Sequence, residues 1–172
     1  PELDRDAFTL HNIYERFVAK FFASHLDDWT VAAQQKLVWP SEETSDYLPT
    51  MSPDLTLQHK ASGHLIVLDT KFTAKILVTG RWDNERFSRD HLFQIYAYLK
   101  SQEHQSTNHQ SSTGILLYPT ANHDLSERIR IQGHAIRWET VDLAQPWQQI
   151  EKDLLGVPAR VLSELQTGSS SQ

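Results

Sequence analysis

Asp69, Thr70 and Lys71 close a run, HLIVLDTKF at 64–72, that is apolar at both alternating positions. Side chains alternate across a strand, so Asp69 and Lys71 point to the same side. Leu65 and Val67 share their parity and Ile66 and Leu68 hold the other, which predicts a central strand covered on both faces. A carboxylate at the end of such a strand is costly unless it is paired or holds a cation. A D-x-K triplet alone is common, and it also suits a strand that emerges into solvent with a local salt bridge.

Asp54 supplies a second carboxylate. It follows Pro53 at the head of a strand containing Leu55 and Leu57, and the turn ASG at 61–63 predicts an antiparallel hairpin that brings Asp54 to the Asp69 end. Two carboxylates beside one ammonium make a hard-oxygen site for Mg²⁺, with Mn²⁺ as a substitute, and Thr70 would add a backbone carbonyl. The ion would polarise a phosphate, and Lys71 would orient or help deprotonate an attacking water. After a proline, Asp54 is equally a turn former.

Two helices would flank these strands. In the one over 88–102, Leu92, Ile95, Tyr96 and Leu99 form the apolar stripe, while Phe87, His91, Gln94 and Tyr98 fall on another line. Gln94, with His91, is expected to face the site and touch substrate or position water; a solvated helix face is the competing reading. In the helix over 8–26, Leu10, Ile13, Tyr14, Phe17, Val18, Phe21, Phe22 and Leu26 make a wide apolar stripe. Glu15 sits at its flank, as a third metal ligand, a holder of a metal-shell water, or simply a boundary glutamate.

The remaining elements are fainter. Residues 36–39 suggest a short strand, 40–50 a loop and 73–87 an irregular stretch. A polar loop at 101–113 leads to a buried strand, GILLYP at 114–119. RIRIQGHAIRW at 128–138 reads as a hairpin turning at Gln132-Gly133, followed by helices over 146–155 and 158–166. One mixed α/β domain over 1–166 is expected, with a disordered tail at 167–172.

Composition narrows the function classes. The chain has 172 residues, no cysteine and a formal net charge of −6, so thiolate metal sites, disulfides and a uniformly basic surface are excluded. Charge acts locally at physiological salt, and in 71–89 Lys71, Lys75, Arg81, Arg86 and Arg89 outnumber Asp83 and Glu85. No run has the length and apolarity of a membrane span, and a cytoplasmic location is expected. The first residue is Pro1 rather than Met, as in a piece of a longer protein. There is no glycine-rich phosphate loop, no HExxH and no G-x-S-x-G elbow.

PD at 53–54, DTK at 69–71 and QIYAYL at 94–99, in that order after an amphipathic helix, resemble the PD-(D/E)xK nuclease superfamily. Within it, NIYERFVAKFF, LPTMSPDLTL, HLIVLDTKF, DHLFQIYAYL, GILLYP and VDLAQPWQQI are similar to the C-terminal domain of McrC, the nuclease subunit of the McrBC modified-cytosine restriction system. The resemblance covers about residues 10 to 155. It implies a restriction-endonuclease-like core, a central mixed sheet flanked by helices. It also implies a Mg²⁺-dependent DNA endonuclease in which Asp54, Asp69 and Lys71 form the catalytic motif and Gln94 is its helical glutamine.

The implied partner is McrB, an AAA+ GTPase hexamer that selects 5-methylcytosine sites and translocates, through a region with no counterpart here. Lys75, Arg81, Arg86, Arg89 and His91 would then contact DNA phosphates without reading sequence. Two other readings are a catalytically silent nuclease-like module for DNA or partner binding, and a metal-dependent phosphodiesterase for small molecules. The intact acidic pair with lysine disfavours the first, and the basic stretch disfavours the second.

Overall fold

A computed structural model of the chain describes residues 2–43, 45–73, 77–79, 85–120 and 124–168. Its frame is a six-stranded sheet in the order β1-β2-β3-β6-β8-β7. The hairpin expected around ASG forms from β2 (Leu55–His59) and β3 (Leu65–Thr70), antiparallel with Leu55 opposite Leu68. Gly63 takes φ +72 in the turn, where its amide donates to the His59 carbonyl, and glycine meets that conformation at no steric cost.

Every residue of β3 is buried, as its two-sided apolar pattern requires. Its other neighbour, β6 (Thr113–Thr120), runs parallel to it, and β8 (His134–Asp142) runs parallel to β6. The edge strand β7 (Ser126–Ile131) returns antiparallel through Gln132 and Gly133, both at positive φ. This turn lies where the sequence predicts it.

Helices cover both faces. Tyr14, Val18 and Phe22 of α1 (Glu2–His25) and Leu154, Val157 and Val161 of α4 (Trp147–Gly168) pack on Leu55, Ile66, Leu68, Ile115 and Leu117. On the opposite face, Ile95, Tyr98 and Leu99 of α2 (Arg89–Ser101) pack on Val67, Leu116, Ile136 and Trp138. The approach is close at Gly114, where an added Cβ would stand 2.8 Å from an Ile95 side-chain carbon. Only a residue without a side chain lets α2 lie this near β6. Among the described residues no helix is long and apolar enough to cross a membrane.

Several expectations need correction. The first strand is β1 (Trp29–Ala33), and residues 36–39 contribute only a single bridge, Leu37 to Met51. The local apolar signal of WTVAA is short, and its pairing with β2 makes it a strand. Within 73–87, expected to be irregular, β4 (Leu77–Thr79) and β5 (Glu85–Phe87) pair as a separate two-stranded ribbon. Phe87 stacks on Trp138 with ring centroids 4.1 Å apart, tying the ribbon to the core. The polar loop contains one short helix, α3 (Thr107–Gln110).

The two C-terminal helices are one, with Pro158 inside α4. Proline removes an amide bond to the residue four back and normally breaks a helix. Here Leu154, Val157 and Val161, on either side of it, are buried in the core and hold the helix continuous. That helix runs into the segment expected to be a tail, as far as Gly168; residues 169–172 lie outside the described residues.

Packing also creates a buried charge network that periodicity could not show. Arg137 and Glu139 of β8 are 4% and 0% exposed. Glu139 accepts from Arg137 Nε at 2.6 Å and from Arg160 Nη2 at 2.8 Å, and Glu164 of α4 accepts from Arg137. Each buried charge is therefore met by an opposite one, the condition under which such groups are tolerated.

His64, at the entry to β3, is 6% exposed, and its Nε2 lies 2.9 Å from Thr113 Oγ1. Burial, with the nearby His59, lowers its pKa to about 4. The unfolded chain takes up a proton below about 6.5, whereas the folded chain resists until about pH 4. The stability that His64 contributes is therefore complete above pH 6.5 and is lost as pH falls towards 4, on the order of 2–3 kcal/mol across that window. Urea unfolding of His64→Gln at pH 7.5, 5.5 and 4.5 is expected to show a smaller acid loss than the parent chain; equal losses would refute the assignment.

Candidate active site

The C-terminal end of β3 is where the sequence-predicted residues meet. Asp54 lies one step beyond the last paired position of β2, so the hairpin register brings it opposite Asp69. Its Oδ2 accepts from the Thr70 amide at 2.7 Å and from Thr70 Oγ1 at 2.5 Å. Its backbone carbonyl accepts from the Gln34 amide at 2.9 Å. Asp54 is thus held at both its carboxylate and its main chain.

Asp69 is 3% exposed and faces α2. Lys71 forms an ion pair with Asp69 Oδ2, so the buried oxygen is met by the ammonium two residues on. Burial pushes the Asp69 carboxyl up to about 6; the Lys71 ammonium opposes this, and the Asp54 carboxylate adds to it. A buried carboxylate next to a second carboxylate attracts a cation.

The Lys71 ammonium is fixed from the helix side. It donates to Gln94 Oε1 at 2.6 Å, and Gln94 Nε2 donates to Tyr98 Oη at 2.8 Å. Tyr98 Oη in turn reaches the Ser52 carbonyl at 3.5 Å. The tyrosine thereby decides which end of the Gln94 amide faces the lysine. The helix line through His91, Gln94 and Tyr98 is thus turned inward, and the reading of it as a solvated face is overturned.

Other predicted residues lie in an outer layer or apart. Glu15 accepts from Gln34 Nε2 at 2.6 Å and stands 3.9 Å from His11 Nε2. Among the described residues no three His, Asp or Glu side chains converge as a ready-made metal cage, so Glu15 does not join Asp54 and Asp69 in one. His91 Nδ1 lies 2.9 Å from Tyr118 Oη. Arg86 and Arg89 are exposed on β5 and at the start of α2; Lys75 and Arg81 lie outside the described residues.

Sequence reasoning gave no role to Gln34, Tyr98 and Tyr118. Tyr98 had a usable signal, since it is four residues from Gln94 and shares its helix face. Gln34 had none: it is a non-glycine residue at φ +48 whose two contacts, Asp54 and Glu15, come from distant parts of the chain.

A mixed sheet sandwiched by helices, with an antiparallel hairpin feeding two parallel strands, is consistent with a restriction-endonuclease-like fold, and this is the class that fold and site define. Residues 7–119 match the family model of the McrBC 5-methylcytosine restriction system component, and the chain belongs to that family. The matched span includes Asp54, Asp69, Lys71 and Gln94. The chain is also 27% identical over 160 residues to the type IV methyl-directed restriction enzyme EcoKMcrBC of Escherichia coli strain K12. That alignment covers 91% of this chain and 44% of the relative, so the chain spans less than half the relative's length.

The double hydrogen bond to Thr70 gives Asp54 a structural role separable from its charge. Asp54→Ala strands the Thr70 amide and hydroxyl and is expected to cost about 2 kcal/mol in urea unfolding. Asp54→Asn keeps an oxygen acceptor and is expected to retain most of that stability. Equal losses in the two variants would show that the hydrogen bonds are not what Asp54 contributes.

Proposed function

We propose that this chain is a metal-dependent DNA endonuclease domain, the cleavage part of a modification-dependent restriction complex. The observation that carries this reading is the convergence of Asp54, Asp69, Lys71 and Gln94 at the buried end of β3. Family membership supports it, and so does the relative named as a methyl-directed restriction enzyme.

Asp54, Asp69 and the Thr70 carbonyl would hold Mg²⁺, or Mn²⁺ in its place. The buried Asp69 carboxylate beside the Asp54 carboxylate, with the hard-oxygen donor set, fits such an ion. When bound, the ion supplies Lewis-acid polarisation of the scissile phosphate and lowers the pKa of a coordinated water. Glu15 would act from the outer layer, holding a water of the metal shell.

The rest of the chemistry belongs to the protein's own side chains. Lys71, aimed by Gln94, places an ammonium where the attacking water and the developing phosphorane charge must be met. Tyr98 keeps Gln94 oriented. Asp54, clamped on Thr70, fixes the distance between the hairpin's two carboxylates. Arg86, Arg89 and His91, with Lys75 and Arg81, would hold the DNA backbone without reading sequence. Target choice would fall to a McrB-like AAA+ GTPase partner acting on 5-methylcytosine sites in the cytoplasm.

In the assembled complex, Lys71→Ala is expected to lower the rate of DNA cleavage at least about 100-fold, measured on protein whose fold is confirmed by circular dichroism because the change leaves the Asp69 carboxylate without its ammonium. Chelation of divalent ions is expected to abolish cutting, with recovery on adding Mg²⁺ or Mn²⁺. Cleavage at the parent rate by the folded Lys71→Ala complex would leave a catalytically silent module as the better reading.

Reversing the charges at Arg86 and Arg89 together tests the DNA face. Weaker binding and a shallower salt dependence are expected, by roughly one unit of slope for each phosphate no longer neutralised. An unchanged slope would place the DNA elsewhere.

A further inference from the structure

Tyr118 lies on β6 and is fully buried, on the sheet face that carries Leu116 and Trp138. Its hydroxyl hydrogen must reach an acceptor, because an unmade hydrogen bond at a buried hydroxyl costs the full desolvation penalty. The partner that the described residues provide is His91 Nδ1, 2.9 Å away. The hydroxyl therefore donates and Nδ1 accepts. A neutral imidazole that accepts at Nδ1 carries its hydrogen on Nε2.

The surroundings keep the ring neutral. Burial holds His91 below the usual histidine range, the Lys71 ammonium does the same, and Asp90 on its own helix pulls the other way. Burial also raises the Tyr118 hydroxyl, as does the Asp69 carboxylate, so the phenol keeps its proton. The groups facing the ring are thus Tyr118 from β6, Lys71 from the end of β3 and Asp90 from α2. Among the described residues Nε2 has no hydrogen-bond partner, and the ring is only partly covered.

We propose that the Tyr118 hydroxyl locks His91 as a neutral Nε2–H donor beside Lys71, and that this donor binds a non-bridging phosphate oxygen of a DNA strand in the site. The second half rests on the nuclease reading above. Tyr118 is then a positioning residue, and His91 is a contact that orients the backbone without adding a charge. A neutral donor displaces no counterion, so removing it weakens binding without changing the salt slope, unlike removing an arginine.

The test uses the full 172-residue chain with ¹⁵N-labelled histidine, and His91→Gln to assign the ring. Long-range ¹H–¹⁵N spectra at pH 7.5 are expected to show His91 as the Nε2–H tautomer. In Tyr118→Phe the ring is expected to exchange tautomers and to take up a proton at higher pH. A short duplex at millimolar concentration with Ca²⁺ is expected to move Nε2 and leave Nδ1 in place, and His91→Phe is expected to lose about 5-fold in duplex affinity at an unchanged salt slope. An Nδ1–H tautomer in the parent chain overturns the lock, and an Nε2 signal indifferent to duplex overturns the phosphate contact. If Nε2 responds while Lys71→Ala complexes still cut at the parent rate, the contact stands and the nuclease reading falls; abolished cutting with an indifferent Nε2 is the reverse.

Discussion

A carboxylate buried at the end of a strand that is covered on both faces constrains everything around it. Asp69 cannot be left as a bare charge among Val67, Leu116 and Tyr118, and it is met by the Lys71 ammonium two residues on. That lysine must itself be held, and Gln94 and Tyr98 of α2 do so. The position of α2 is set by its close approach to β6 at Gly114. A local electrostatic need thus extends across the sheet to a helix and its packing.

The two sides of the sheet divide the work. Asp69 and Lys71 face α2, together with Gln94, His91 and Tyr118, so the polar groups gather on that side at one end of β3. Thr70 is fully buried, on the alternate parity shared with Ile66 and Leu68, whose packing partners are α1 and α4. It reaches Asp54 through both its amide and its hydroxyl. The same three-residue segment therefore exposes chemistry on one side and anchors itself on the other, which is what alternation along a strand permits. The charge network of Arg137, Glu139, Arg160 and Glu164 joins β8 to α4, so the sheet face opposite the site also contains paired ions within its packing.

The outer layer around Asp54 is built from distant pieces. Gln34 follows β1, takes a left-handed conformation, and ties the Asp54 main chain to the Glu15 side chain of α1. A non-glycine residue held there costs on the order of 1 kcal/mol or more, and such strain persists where surrounding contacts over-determine it. The chain that carries this layer belongs to the McrBC restriction-component family and spans less than half of the restriction enzyme it matches.

The central elements and the inner residues of the site could be read in the linear chain because their signals are local. Two-sided apolarity marked β3, the ASG turn marked the hairpin, and helical spacing put Gln94 and His91 on one line. Asp54, Asp69 and Lys71 followed from alternation and hairpin register, which need only neighbouring residues. What the tertiary structure decided was whatever depends on partners far away in sequence. WTVAA became β1 through pairing with β2, β4 and β5 formed a ribbon by pairing with each other while Phe87 stacked on Trp138, and Pro158 stayed inside a helix because buried neighbours held it there. The roles of Gln34, Tyr98 and Tyr118 were likewise set by contacts with Asp54, Gln94 and His91. Hydrogen bonds and packing across such separations leave no periodic trace in sequence, and they turned a common D-x-K triplet into a positioned site.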